Sequence, residues 1–225
     1  MSTSPPQSAL ATFSSCEISD ALIKLGLPHG GHIPDIRMLS PTTSGETRLC
    51  GPAYTVQMVP GSDKTSPKLS SHFVDTAPSG SVINAVWGGL MTAGAQSRGA
   101  LGVIISGRCR DIGEHRSSGF PVFARGQSTL GQSPFTRPSA INVPLTISAI
   151  PTPGFTEPET TFPAVEVRPG DWLVADEDGV VCVPTELVPK VVELATKGRE
   201  VDAKCLVDIR EGKGVQASFK LHRGK

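Results

Sequence analysis

The residues best equipped for chemistry in this 225-residue chain are Arg110 and Asp111, at the end of the run Gly107-Arg108-Cys109-Arg110-Asp111. A guanidinium is planar and permanently charged, so it can hold a carboxylate through two parallel hydrogen bonds. Aspartate is a hard oxygen ligand suited to Mg²⁺ or Mn²⁺. Side by side, they offer a clamp for an oxyanion and an anchor for a cation. The same pair could equally close a loop as a salt bridge, and the segment by itself leaves both readings open. A second segment, Trp87-Gly88-Gly89-Leu90-Met91, sets two glycines before an apolar stretch. Backbone N–H groups at such a turn can receive an anion. A tight turn without a ligand would use the same glycines.

The elements that must position these residues follow from the pattern around them. Residues 81–86 and the apolar run Leu101 to Ser106 read as strands, the second buried on both faces, and Leu90 to Arg98 between them reads as a helix closed by Gly99. Strand, glycine turn, helix, glycine, strand is the rhythm of a βαβ unit, so the fold class is α/β. Both segments then follow strand ends, where ligands gather in open α/β sheets. Elsewhere, Ser15 to Gly26 reads as a helix with Ser15 as N-cap, and residues 27–50 as loop. Residues 53–59 and 121–124 read as strands, residues 172–175 and 180–183 as a hairpin, and residues 185–209 as one long helix or two. Residues 1–9 are expected to form a frayed Ser/Pro-rich tail and residues 213–225 a solvated basic one, flanking a single domain over 10–212. Within it, residues 126–164 hold seven prolines and read as a long loop inserted in the domain.

Bulk properties exclude several classes. Lys+Arg and Asp+Glu both number 21, so the excess of positive charge expected of a nucleic-acid binder is absent, and no nucleic-acid partner is expected. Five scattered cysteines form no CxxC pair, which argues against a zinc knuckle or disulfide framework. No apolar run reaches the ~20 residues of a membrane span. The first residues lack the features of a signal peptide, so the cytoplasm is the expected compartment. His29 and His32 sit among Gly and Pro and read as a solvated loop. Glycine signatures of dinucleotide, P-loop and α/β-hydrolase sites are missing, as is HExxH. A Schiff-base mechanism needs a desolvated lysine, yet none lies between Lys68 and Lys190.

Taken together, Gly51-Pro52-Ala53-Tyr54-Thr55-Val56, Trp87 to Met91, Gly107 to Asp111, Phe120 to Gly126, and Pro169-Gly170-Asp171 through Asp178-Gly179-Val180 resemble the RraA-like family, as does Ile18 to Leu22 in the first helix. The resemblance runs from about Leu10 to Gly212. It implies a swivelling β/β/α sandwich assembled as a homotrimer or a dimer of trimers, with sites between subunits. In the aldolase branch it implies divalent-metal-dependent cleavage of 4-hydroxy-4-methyl-2-oxoglutarate and decarboxylation of oxaloacetate. Arg110 would then bind the pyruvyl part of the substrate, and Asp111 would hold Mg²⁺ or Mn²⁺ largely through waters. The N–H groups of Leu90 and Met91, with Gly88 and Gly89 before them, would meet the substrate carboxylate. Asp202, or Glu200, of a neighbouring subunit would support the metal waters.

One position departs from the pattern. Relatives often carry Asp or Glu where this chain has Gly89, so the general acid or base is unassigned; Arg108 and Glu114 lie nearby but read as solvated loop. Retro-aldol cleavage and oxaloacetate decarboxylation both build an enolate of pyruvate, and stabilising its charge is the main catalytic task. A divalent ion as Lewis acid and Arg110 as a fixed positive charge suit that task. Two other readings stay open: a regulator of the same family that acts by protein–protein contact, and the methyltransferase label carried by some relatives, for which no cofactor-binding turn is visible.

Overall fold

The computed structural model describes residues 9–41, 47–77, 82–84, 86–150 and 162–224. The expected tail at 1–9 falls almost wholly outside these residues, whereas Leu10 and Phe13 are already packed in the core. Helix α1 (Ser15–Lys24) opens with a capping box: the Ser14 hydroxyl accepts from Glu17 N–H, and the Glu17 carboxylate accepts from Ser14 N–H. The cap is therefore Ser14 and not the expected Ser15. Ser15 bonds through its own hydroxyl to Asp176 at 2.6 Å. Gly26, at φ +90°, takes the left-handed position that ends a helix without a Cβ clash.

The central sheet runs in the order β1 (Arg37–Ser40), β5 (Val122–Gln127), β4 (Gly102–Cys109), β3 (Val82–Asn84), β2 (Leu49–Pro60), β9 (Trp172–Asp176), β10 (Gly179–Val183). Strands β2, β3, β4 and β5 pair in parallel; β1, β9 and β10 add antiparallel edges. Helix α2 (Gly89–Ser97) connects β3 to its parallel neighbour β4, which is the expected βαβ unit. The β9–β10 hairpin turns through Glu177-Asp178, as its turn chemistry predicts.

Two cores explain why β4 and β5 are apolar on both faces. Val103 and Ile105 of β4, with Val122 and Ala124 of β5, pack toward Ala95 of α2 and toward Trp87, Phe120 and Phe73. The alternate residues Ile104 and Phe123 pack the other way, against Leu173, Ala175, Val180 and the small β7–β8 sheet (Leu145–Ile147, Val165–Val167). Helices cover one face of the sheet and further strands the other, which is β/β/α layering in a single domain. A third cluster joins α1 and α4 (Val188–Arg210) to the back of the hairpin through Val174, Val181 and Val183.

Three expectations change. The region read as loop before residue 50 contains β1 and the start of β2. The described part of the 126–164 segment is structured. Strand β6 (Thr136–Ile141) pairs with β2 alone, and Pro138 meets Met58 where the register shifts. Proline cannot donate to a ladder, so a strand that contains it sits at an edge and escapes a pattern search. The Arg137 guanidinium fastens this strand by donating to the Pro67, Asp63 and Ser66 carbonyls at 2.6, 3.1 and 2.7 Å. Lastly, the expected solvated tail holds helix α5 (Val215–His222), folded back on α4. The Asp208 carboxylate, its pKa lowered by Lys213 and then His222, draws both residues in at 2.6 and 2.8 Å. A further helix, α3 (Ile112–Ser117), follows β4 directly.

Candidate active site

The two segments singled out above meet at the carboxyl ends of β3 and β4. Arg110 N–H donates to the Trp87 carbonyl at 3.1 Å, and Trp87 bridges Cys109 as an isolated parallel pair. The backbone thus pins Arg110-Asp111 against Trp87-Gly88-Gly89. The Arg110 Nε atom lies 3.5 Å from Asp111 Oδ2, with the two side chains 46 % and 34 % exposed. The pair is therefore open to a ligand and is not sealed in the core.

Asp111 adopts φ +60°, ψ +39°, the left-handed region, at the N-cap of α3. Aspartate tolerates this conformation better than most residues, but a non-glycine residue held there commonly marks a functional constraint. An N-cap aspartate ordinarily accepts from its own helix. This one makes no such cap; its Oδ2 accepts instead from Gly89 N–H at 2.9 Å, the first turn of α2. The carboxylate is aimed across the pocket.

Side chains from α3 and its N-cap stand close against Gly88 and Gly89. A Cβ at Gly88 would lie 2.8 Å from Asp111 Oδ2 and 3.3 Å from Arg110 Nε. A Cβ at Gly89 would lie 1.6 Å from Glu114 Oε2. The Glu114 carboxylate, one turn along α3, thus fills the space that a side chain at residue 89 would enter. Glu114 brings a carboxylate beside position 89. Sequence reading set Glu114 aside as solvated loop; the available signal was its three-residue offset from Asp111 within a helix, which puts both carboxylates on one side.

The expected backbone donors are only partly available. Gly89 N–H serves Asp111, and Met91 N–H is turned into a bond to the Gly88 carbonyl at 3.0 Å. Leu90 N–H has no partner among the described residues and is the donor left for an anion at the N-terminus of α2. The small cavity over these groups, about 190 Å³, is also lined by His72, Arg108, Leu130 and Gln132. His72 was not anticipated; its Nδ1 accepts from Val74 N–H. Cys109 beside the site is a buried thiol pushed up to about 11 by desolvation, which makes it inert as a nucleophile.

Beneath the pocket lies a buried polar chain that sequence reading also missed. Trp87 Nε1–H donates to Thr92 Oγ1 at 2.7 Å, and Thr92 Oγ1 meets His115 Nδ1 at 2.9 Å. His115 is fully buried, and its Nε2 has no partner of hydrogen-bond geometry. Burial pushes its pKa down, against opposing contributions from the Arg110 backbone and the Asp111 and Glu114 carboxylates. A neutral imidazole thus braces α3 against α2.

Asp202 and Glu200, expected to act on a neighbouring subunit's site, lie on α4 and do not line this chain's pocket. Asp202 accepts from Arg223 Nη2 at 2.5 Å, so α5 engages it within its own chain. Among the described residues no three His, Cys, Asp or Glu side chains converge on a point. Mg²⁺ does not require such a cage, because it keeps several waters and is commonly bound through one or two carboxylates plus substrate oxygens. Asp111, which lines the cavity, fits that kind of donor set, and Glu114 lies against the same glycine turn.

A family model described as RraA-like (Aldolase/RraA) matches residues 15–182. Protein DlpA of Legionella pneumophila is 28 % identical over 213 residues, 90 % of this chain, which spans only 31 % of DlpA's length. A protein of Halalkalibacterium halodurans named "Putative 4-hydroxy-4-methyl-2-oxoglutarate aldolase" is 28 % identical over 69 % of each chain. The crystal structure of an uncharacterized protein from Pseudomonas syringae pv. tomato superposes with a TM-score of 0.74 at 28 % identity, covering 95 % of this chain and 96 % of that one. Streptomyces coelicolor RraAS2 shares the fold, with a TM-score of 0.71 at 21 % identity over 90 % and 98 %. With three quarters of its length matched and the β/β/α sandwich in place, the chain belongs to the RraA-like family.

Proposed function

We propose that this chain is a divalent-metal-dependent carbon–carbon lyase acting on small 2-oxo acids, by retro-aldol cleavage of 4-hydroxy-4-methyl-2-oxoglutarate-type substrates and decarboxylation of oxaloacetate. The observation that carries the reading is the grouping of Arg110, Asp111 and Glu114 around the Gly88-Gly89 turn. The naming of relatives such as the Halalkalibacterium protein supports it.

Mg²⁺ or Mn²⁺, held by Asp111 with Glu114 nearby, would supply Lewis acidity toward the keto acid. The chain's own residues do the rest. Arg110 presents a fixed positive charge to the carboxylate of the substrate and to the oxygen on which negative charge grows as the bond breaks. Leu90 N–H, at the head of α2, orients a carboxylate oxygen. His72, on the wall of the same cavity, is our candidate to carry the proton to or from the three-carbon product. Leu90 and Leu130 are 82 % and 62 % exposed at the rim, apolar surface that a neighbouring subunit of a trimer or hexamer would cover.

Titration of the protein with Mg²⁺ by calorimetry, with and without pyruvate, tests the reading. Uptake that pyruvate strengthens and Asp111→Ala removes is expected. Absence of uptake in both conditions would favour a non-catalytic regulator.

A further inference from the structure

The small cavity over Arg110 opens beside a larger one of about 770 Å³. The two share Val86, Arg108, Leu130 and Gln132 as walls, so they adjoin at these residues. The small cavity lies below the range of drug-sized ligand sites, and the larger lies well inside it. Its wall combines apolar side chains, Met58 of β2, Leu130 and Phe135 among them, with the neutral polar groups of Gln57, Ser128, Gln132 and Thr146. Arg108, at the junction, is the sole charged residue among those lining it, and its Nη1 already donates to the Gln127 carbonyl at 2.9 Å. The segment from 128 to 147 that builds the outer wall also touches the catalytic group. A Cβ at Gly131 would lie 3.1 Å from Arg110 Nη1.

We propose that this cavity is a subsite for an uncharged extension of the substrate, so that the preferred keto acid is longer than oxaloacetate and carries an alkyl or aryl tail. The inference rests on the keto-acid reading of the Arg110 pocket and specifies its substrate class. Beyond Arg108 the lining offers a carboxylate only neutral hydroxyl and amide donors, so a charged tail would give up more hydration there than an uncharged one. A methylene placed there gains about fourfold in affinity, by the usual worth of buried apolar surface.

The test is calorimetry in Mg²⁺ with pyruvate, 2-oxoglutarate and 2-oxooctanoate as ligands, beside an oxaloacetate decarboxylation assay of the same preparation. The octanoate analogue should bind at least ten times more tightly than either of the others. Met58→Trp should narrow that ratio by filling the cavity. Thr146→Trp, at an exposed lining position, serves the same purpose should the first variant fold poorly. Comparable affinity for the three acids with oxaloacetate turned over, or a ratio unchanged in a folded variant, would overturn the subsite and leave the lyase reading intact. Binding of none of them, with no turnover, would overturn both.

Discussion

The Glu114 carboxylate stands where a side chain at Gly89 would be, 1.6 Å from the position of the missing Cβ. An acidic group on the first turn of α3 thus reaches the space beside the turn before α2. Glu114→Ala should therefore lower metal-dependent turnover at least about tenfold, the scale seen when groups supporting a metal site are removed. Gly89→Asp should also lower it by displacing Glu114, at little cost in stability because the displaced atoms end a flexible, exposed side chain. The double change Gly89→Asp with Glu114→Gly should recover activity. A double-mutant cycle measures this, and simple additivity of the two losses would contradict the exchange.

Asp111→Asn separates charge from geometry. Asparagine tolerates the same left-handed backbone and can still accept from Gly89 N–H. We expect kcat/KM to fall about a hundredfold or more, with the melting temperature shifted by no more than a few degrees. Scanning calorimetry and steady-state kinetics on one preparation would check both. A large loss of stability would mean the carboxylate serves the fold first.

Arg110→Lys keeps the charge and removes the planar fork. A lysine at this place cannot hold a carboxylate through two parallel hydrogen bonds. The expected result is a KM for the keto acid raised about tenfold or more, read from initial rates. An unchanged KM would mean that Arg110 contributes charge alone.

Burial holds His115 neutral, and that has a definite sign in pH. A histidine whose folded pKa lies below its ordinary 6.5 binds fewer protons folded than unfolded, so its contribution is present above pH 6.5 and is lost as pH falls through the depressed value. Wild type should lose stability as pH falls from about 6.5 toward 5, ahead of the carboxylate-driven loss. His115→Leu should be flatter over that interval in urea titrations. It should also reduce kcat more than binding of pyruvate, because the brace under Asp111 and Glu114 is loosened.

Much of this arrangement was legible in the sequence, and the misses have local causes. The βαβ unit announced itself because β4 is apolar on both faces and lies between glycine turns. The Arg110–Asp111 pair was found from residue type and from its place after a strand. Strand β6 was hidden by Pro138, and β1 by its mere four residues. The N-cap moved by one because the Ser14-to-Glu17 spacing outranks a serine nearer the apolar stripe. Glu114 and His115 could not be read along the chain, since what defines them is α3 folding against α2. Helix α5 was hidden by its eight-residue length among glycines and basic residues; Lys213 and His222 on Asp208, and Arg223 on Asp202, hold it in place.

The central claim is that Arg110, Asp111 and Glu114 together cleave carbon–carbon bonds of 2-oxo acids with a divalent ion. It is tested most directly by following pyruvate release from oxaloacetate with purified protein, before and after EDTA. The account predicts turnover in Mg²⁺ well above the uncatalysed rate, abolished by EDTA, restored by added metal and lost in Asp111→Ala. Turnover that persists in EDTA, or that is equal in Asp111→Ala, would contradict it.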